Sequence, residues 1–121
     1  MATADYKLFT PLTLGNDFVL KNRVVFSPLT RARSNPKTRA PTDLNTLYYE
    51  QCAGAGLIVT EATAISEQGF GWFGAPALYT QEHADGWKKV VDAVHAKGGK
   101  IVLQLWHMGR QSHSLSLIEV Y

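Results

Sequence analysis

A chain of 121 residues with 45% apolar side chains is the size of one ordinary globular domain, neither disordered nor fibrous. Its formal net charge of +2 is too small to argue for nucleic acid or an anionic membrane as a partner. The lone Cys52 excludes an internal disulfide and, within a helical pattern beside alanine and glycine, reads as a small buried apolar group rather than a nucleophile. No apolar run reaches bilayer length. Met1-Ala2-Thr3-Ala4-Asp5 shows neither a basic leader nor an apolar signal core, so a cytoplasmic protein is expected. Arg31, Arg33, Lys37 and Arg39 share one loop with no interleaved aromatic, the composition of a solvated basic loop.

Leu8, Leu12, Leu14, Phe18 and Leu20 flank the turn formers Gly15-Asn16-Asp17, which predicts an amino-terminal hairpin. Val24-Val25-Phe26 is a short strand stopped by Ser27-Pro28, since proline lacks the donor a ladder needs. From Leu29 to Pro41 the chain is a loop. Thr42 or Asp43 can cap a helix whose apolar positions Leu44, Leu47 and Tyr48 recur at helical spacing, and Gly54 and Gly56 end it. Leu57-Ile58-Val59-Thr60 follows as a strand, with Glu61-Ala62-Thr63-Ala64 as its end. Between Ile65 and Tyr79 the aromatics Phe70, Trp72 and Phe73 are interleaved with Gly69, Gly71, Gly74 and Pro76, the make-up of a lid or binding loop rather than a linker. Thr80 caps a second helix, with Glu82 in its first turn, Trp87, Val90, Val91 and Val94 on one face, and Gly98-Gly99 after its end. Five of the six residues of Ile101–Trp106 are apolar, as in a strand covered on both faces. The exception is Gln104, either a satisfied core amide or a reader of something that also donates and accepts.

The order is hairpin, strand, helix, strand, helix, strand. Long strand-to-helix loops and short returns imply a parallel α/β sheet with its functional groups at the carboxyl end. No G-x-G-x-x-G follows the first strand, so a β/α barrel is expected rather than a doubly wound dinucleotide fold. The strand ends Ser27–Arg31, Thr60–Thr63 and Gln104–His107 meet at one mouth of such a barrel. Together they offer hydroxyls, an amide, backbone groups and a flat aromatic, a set suited to a neutral planar heteroaromatic ring such as a flavin. They do not suit a phosphate, since no glycine-rich cradle opens a helix here.

Five motifs carry a resemblance to a known family: Leu20-Lys21-Asn22-Arg23-Val24, Ser27-Pro28-Leu29-Thr30-Arg31, Gly56 to Thr63, Trp87 to His95, and Gln104-Leu105-Trp106-His107-Met108-Gly109-Arg110. From about Leu8 to about His113 the chain resembles the amino-terminal third of the old yellow enzyme family, the FMN-dependent ene reductases that include 12-oxophytodienoate reductases. The resemblance implies a partial TIM (β/α)8 barrel. It also implies FMN as cofactor, NADH or NADPH as electron donor, and a small enone or related electrophile as substrate. It makes Pro28 and Leu29 the backbone wall against the flavin and Ala62 the position whose main chain approaches the central ring. Thr30 becomes the catalytic hydroxyl that bonds the flavin C4 oxygen and tunes its reduction, where the bare sequence also allows a turn hydroxyl bonding its own backbone. Gln104 reads the pyrimidine edge, and Trp72 and Trp106 line the substrate pocket. His107 and His113 are not assigned to proton transfer, and no metal is expected. The family's substrate-anchoring pair, tyrosine proton donor and phosphate-holding groups lie on later strands. Residues 114–121 are expected to diverge from the family pattern, leaving two readings of the whole 121-residue stretch: the flavin-proximal part of a single barrel domain, or a truncated, inactive product that folds in part or associates with other chains.

Overall fold

Gly15, at a φ of 61°, turns a hairpin of β1 (Leu12–Leu14) and β2 (Phe18–Leu20) in which Leu12 stands opposite Leu20. The computed structural model describes residues 7–113. The tail expected to diverge, 114–121, lies outside the described residues. Beyond the hairpin, β3 (Val25–Phe26), β4 (Leu57–Ala64) and β5 (Ile101–Trp106) form a parallel sheet in the order β3-β4-β5. Helices α1 (Asp43–Gln51) and α2 (Gln81–Ala96) connect them. The βα alternation read from the sequence is therefore the observed topology.

Both helices lie on one face of the sheet, where Tyr49, Ala53, Ile58, Trp87, Val90 and Val94 make the core and Phe26, Ile101 and Leu103 pack against it. Trp87 also anchors its ring by donating from Nε1 to the Ala77 carbonyl at 3.2 Å. Thr80 caps α2, its Oγ1 accepting the His83 N–H at 3.3 Å. The buried His83 ring returns the bond: Nδ1 accepts the Tyr79 and Thr80 N–H groups at 3.2 Å, so Nε2 carries the proton and donates to the Thr38 carbonyl at 2.7 Å.

Lys21 and Asn22 seal the amino end of the sheet. The Lys21 ammonium donates to Ala53 O at 2.6 Å and Gly98 O at 3.3 Å, the carbonyls just past α1 and α2, where both helix dipoles favour a cation. Asn22 donates to Gly54 O at 3.0 Å and accepts the Val24 N–H at 3.1 Å.

Three expectations are corrected. The inward face of α1 is Asn45 and Tyr49, while Leu44 and Leu47 are exposed, because helical spacing fits two neighbouring faces and the buried acceptor Glu61 selects this one. Strand β4 ends at Ala64 as expected, with a β-bulge between Val59 and Ala62 absorbing one extra residue so that pairing with β5 resumes. Strand β5 is not covered on both faces among the described residues: Ile101 and Leu103 pack on the core, while Val102 and Gln104 on the other face are exposed, as is Leu105 near the strand's end. Arg39 is not solvated. It is buried at a φ of 65°, its guanidinium 4.0 Å from the Phe70 ring centre and donating to Tyr79 Oη at 2.6 Å. A planar cation stacked on an aromatic face tolerates burial that an ammonium would not.

Candidate functional site

At the carboxyl end of the sheet three segments are tied together: the 27–42 loop after β3, the 65–80 loop after β4, and residues 107–113 after β5. Ser34 N–H donates to Gly74 O at 3.1 Å, Ala77 N–H to Arg39 O at 3.1 Å, and Met108 N–H to Gly69 O at 3.1 Å. A Cβ on Gly71 would stand 2.9 Å from Met108 Sδ, so the aromatic loop lies against the segment after β5 because glycine permits the approach.

The face of the sheet turned away from the helices holds the strand residues expected to meet the ring. Ala62 pairs with Gln104 and Ala64 with Trp106, and residues paired across a parallel ladder point to the same side. Ile101 and Leu103 face the core, so strand alternation puts Gln104 and Trp106 on the opposite face. Two alanines beside a glutamine and a tryptophan leave a low floor next to a raised polar and aromatic rim. The Gln104 amide is exposed and has no hydrogen-bond partner among the described residues, so the satisfied-core-amide alternative does not hold. Its backbone N–H, displaced from the ladder by the bulge, donates instead to Thr60 Oγ1 at 3.1 Å.

Thr30 is exposed and its hydroxyl likewise has no partner among the described residues, so it is not spent on its own turn. Pro28 is half-buried and Leu29 exposed. The turn that follows them is fixed by Glu61, whose Oε2 accepts the Arg31 N–H at 2.9 Å and the Ala32 N–H at 3.2 Å. Ala32 has a φ of 54°, a conformation that costs a non-glycine residue about 1–2 kcal/mol and lets successive N–H groups aim at one acceptor. Thr30 is thus one residue from an anchor whose own neighbour in the chain is Ala62. Trp72 is half exposed in the aromatic loop, and Trp106 is half-buried at the end of β5.

The hydroxyls at the end of β4 are less available than the sequence suggests. Thr60, Glu61 and Thr63 are fully buried, and Thr60 Oγ1 and Thr63 Oγ1 each donate to Glu61 O at 3.0 Å. Glu61 belongs to a network: Oε1 accepts from Asn45 Nδ2 at 3.0 Å and from the Tyr49 hydroxyl at 3.3 Å, while the Glu61 N–H donates to Tyr49 Oη at 2.7 Å. Sequence reasoning missed Asn45 and Tyr49. Their signal was polar groups four residues apart, one above the other on a helix face that has to meet a sheet.

Burial, with the neighbouring Glu61 carboxyl adding to it, pushes the Tyr49 hydroxyl well above its ordinary value of 10.0. The folded chain then holds a proton that the unfolded tyrosine releases above that value, so stability falls as pH rises past about 10. Tyr49→Phe is expected to flatten the alkaline limb of a denaturation-versus-pH curve. An unchanged limb would contradict this. Burial likewise pushes the Cys52 thiol up, which makes it a poor nucleophile. Among the described residues no group of three or more His, Cys, Asp or Glu is placed to hold a metal ion, and no helix is long and apolar enough to cross a membrane.

A family model described as NADH:flavin oxidoreductase / NADH oxidase matches residues 7–119. The chain is 49% identical over 107 residues to flavin oxidoreductase hxnT of Emericella nidulans, covering 85% of this chain and 27% of that protein. It is 44% identical over 108 residues to 12-oxophytodienoate reductase 7 of Oryza sativa subsp. japonica, covering 89% of this chain and 27% of the relative. Among solved structures, morphinone reductase in complex with tetrahydroNAD superposes with a TM-score of 0.86 at 52% identity over 93% of this chain and 30% of the other. The chain therefore spans under a third of the length of the relatives it matches, and the structures it matches are TIM barrels. Its donor set fits the family's cofactor, since the unpartnered Gln104 amide stands beside Ala62 and the unpartnered Thr30 hydroxyl lies next to a turn held by the residue before Ala62. By sequence and by fold, this chain belongs to the NADH:flavin oxidoreductase / NADH oxidase family, the FMN-dependent old yellow enzymes that draw electrons from NAD(P)H.

Proposed function

We infer that the chain supplies one side of the flavin seat of an ene reductase, an enzyme passing hydride from NADH or NADPH through FMN to the β-carbon of an α,β-unsaturated carbonyl compound. The reading is carried by the register that sets Ala62 beside the unpartnered amide of Gln104. FMN, when bound, supplies a hydride relay between two substrates that need never meet. Gln104 both donates and accepts, so it can read a ring edge that alternates carbonyl and N–H groups. Ala62, with one methyl, lets a flat ring approach the main chain, and Pro28 and Leu29 provide a backbone wall. Thr30 donates to a ring oxygen and so favours charge on the reduced ring, which is its catalytic part. Trp72 and Trp106 line the substrate pocket with apolar faces suited to a small planar enone. His107, whose Nδ1 accepts the Gly109 N–H at 2.9 Å, is given no part in this reading. Nucleic acid and membrane are not partners in this reading, and a cytoplasmic location fits the free Cys52.

A second reading is favoured by one observation: β3 and β5 are both edge strands, and Val25, Val102 and Leu105 are exposed. Such edges invite pairing with other chains, as an inactive piece would show. The 121-residue chain, equilibrated with FMN and passed through gel filtration, is expected to elute yellow with flavin absorbance under the protein peak. A colourless, aggregated fraction would favour the second reading.

A further inference from the structure

The flavin seat proposed above has one arm, Pro28 to Thr30, that is not part of the sheet, and something has to set its height over Ala62. We propose that Glu61 is the positioning residue that does so, holding the Thr30 hydroxyl in place for the flavin through the Arg31 and Ala32 N–H groups. The inference rests on the flavin reading. Its evidence is the hydrogen-bond geometry of the Glu61 carboxylate, which is fully buried and bonded to the 27–42 loop and to α1.

The geometry leaves Glu61 little other purpose. Two oxygens face four donors: Arg31 N at 2.9 Å and Ala32 N at 3.2 Å on Oε2, Asn45 Nδ2 at 3.0 Å and Tyr49 Oη at 3.3 Å on Oε1. The α1 pair fixes the carboxyl plane from below, and the loop then hangs from its free side. Ala32 stays at a φ of 54° only while that acceptor is present, since an alanine gains nothing from this conformation on its own. Gly74 completes the clamp from the other loop. At a φ of 76° it brings its α-carbon so close that a Cβ would stand 2.7 Å from Ala32 O. The strand that presents Ala62 therefore also holds, through the preceding side chain, the turn next to Thr30. Both sides of the seat move together.

Glu61→Gln tests this. An amide has one oxygen: turned so that its NH2 opposes the Arg31 and Ala32 N–H groups it releases the turn, and turned the other way its NH2 opposes Asn45 Nδ2 and tilts the side chain from which the turn hangs. FMN affinity of the 121-residue chain, followed by flavin fluorescence quenching, is expected to fall about tenfold or more in Glu61→Gln. Thr30→Ala should cost about fivefold in the native background and under about twofold in Glu61→Gln, because a misplaced hydroxyl has nothing left to lose. In the native chain, amide exchange at Arg31 and Ala32 should be slow and become slower with FMN. Thr30→Ala retaining its full cost in Glu61→Gln, or exchange at those amides as fast as in an open loop, would overturn the positioning role alone. Should Glu61→Gln fail to fold, the exchange measurement on the native chain decides. Absence of FMN binding by the native chain would overturn the flavin reading and this inference with it, an outcome distinct from the other two.

Discussion

Gly56→Ala is expected to destabilise the chain by about 3 kcal/mol or more, enough to remove much of the stability of a domain this size. A Cβ there would overlap the Asn22 carbonyl, and its next contact, Asn22 Oδ1, stands at 2.9 Å. Asn22 cannot yield, because its side chain bonds both Gly54 O and the Val24 N–H, while Gly56 N–H donates to Val24 O at 2.9 Å. The crowding falls where β4 begins pairing with β3, Val25 against Leu57, so relief would break the parallel ladder at its start. Gly54→Ala is the control: a Cβ there would meet nothing within 4 Å, and a change under about 0.5 kcal/mol is expected. Denaturant unfolding of both variants checks this, and equal midpoints would show that the close approach is not rigid.

Gln104→Leu is expected to separate stability from binding. The amide is exposed and without a partner among the described residues, so unfolding should shift by under about 0.5 kcal/mol. FMN binding should weaken by about 1–3 kcal/mol, about fivefold to 150-fold, because the ring edge loses a donor and an acceptor. Thr60→Val is the companion. It removes the hydroxyl that receives the Gln104 N–H at the bulge, and should weaken FMN binding less while lowering stability more, since a part-buried N–H loses its partner. A Gln104→Leu variant that binds FMN as tightly as the parent would remove the amide from the site.

What could be read from the sequence followed from spacing and from residues with one structural use. Thr80, Trp87, Val90 and Val94 stand where a capped amphipathic helix requires, and Gly15-Asn16-Asp17 turns the hairpin it marks. Val24-Val25-Phe26, Leu57 onward and Ile101–Trp106 are parallel strands in one sheet. The misreadings share a cause: a side chain's partner lies far along the chain. Asn45 and Tyr49 go unnoticed until Glu61 is placed against them, and Arg39 reads as solvated until Phe70 and Tyr79 enclose it. The bulge that carries β4 on to Ala64 is a matter of register, and no local propensity marks it. Nor could the face of α1 be chosen from Leu44, Leu47 and Tyr48, which look apolar enough to be inside.

The most direct measurement is an amide chemical-shift titration of the 121-residue chain with FMN. The expected perturbations cluster at Leu29–Ala32, Glu61–Ala64 and Leu103–Trp106, three segments joined only at the carboxyl end of the sheet. Shifts confined to Lys21, Ala53 and Gly98 at the amino end, or none at saturating FMN, would contradict it.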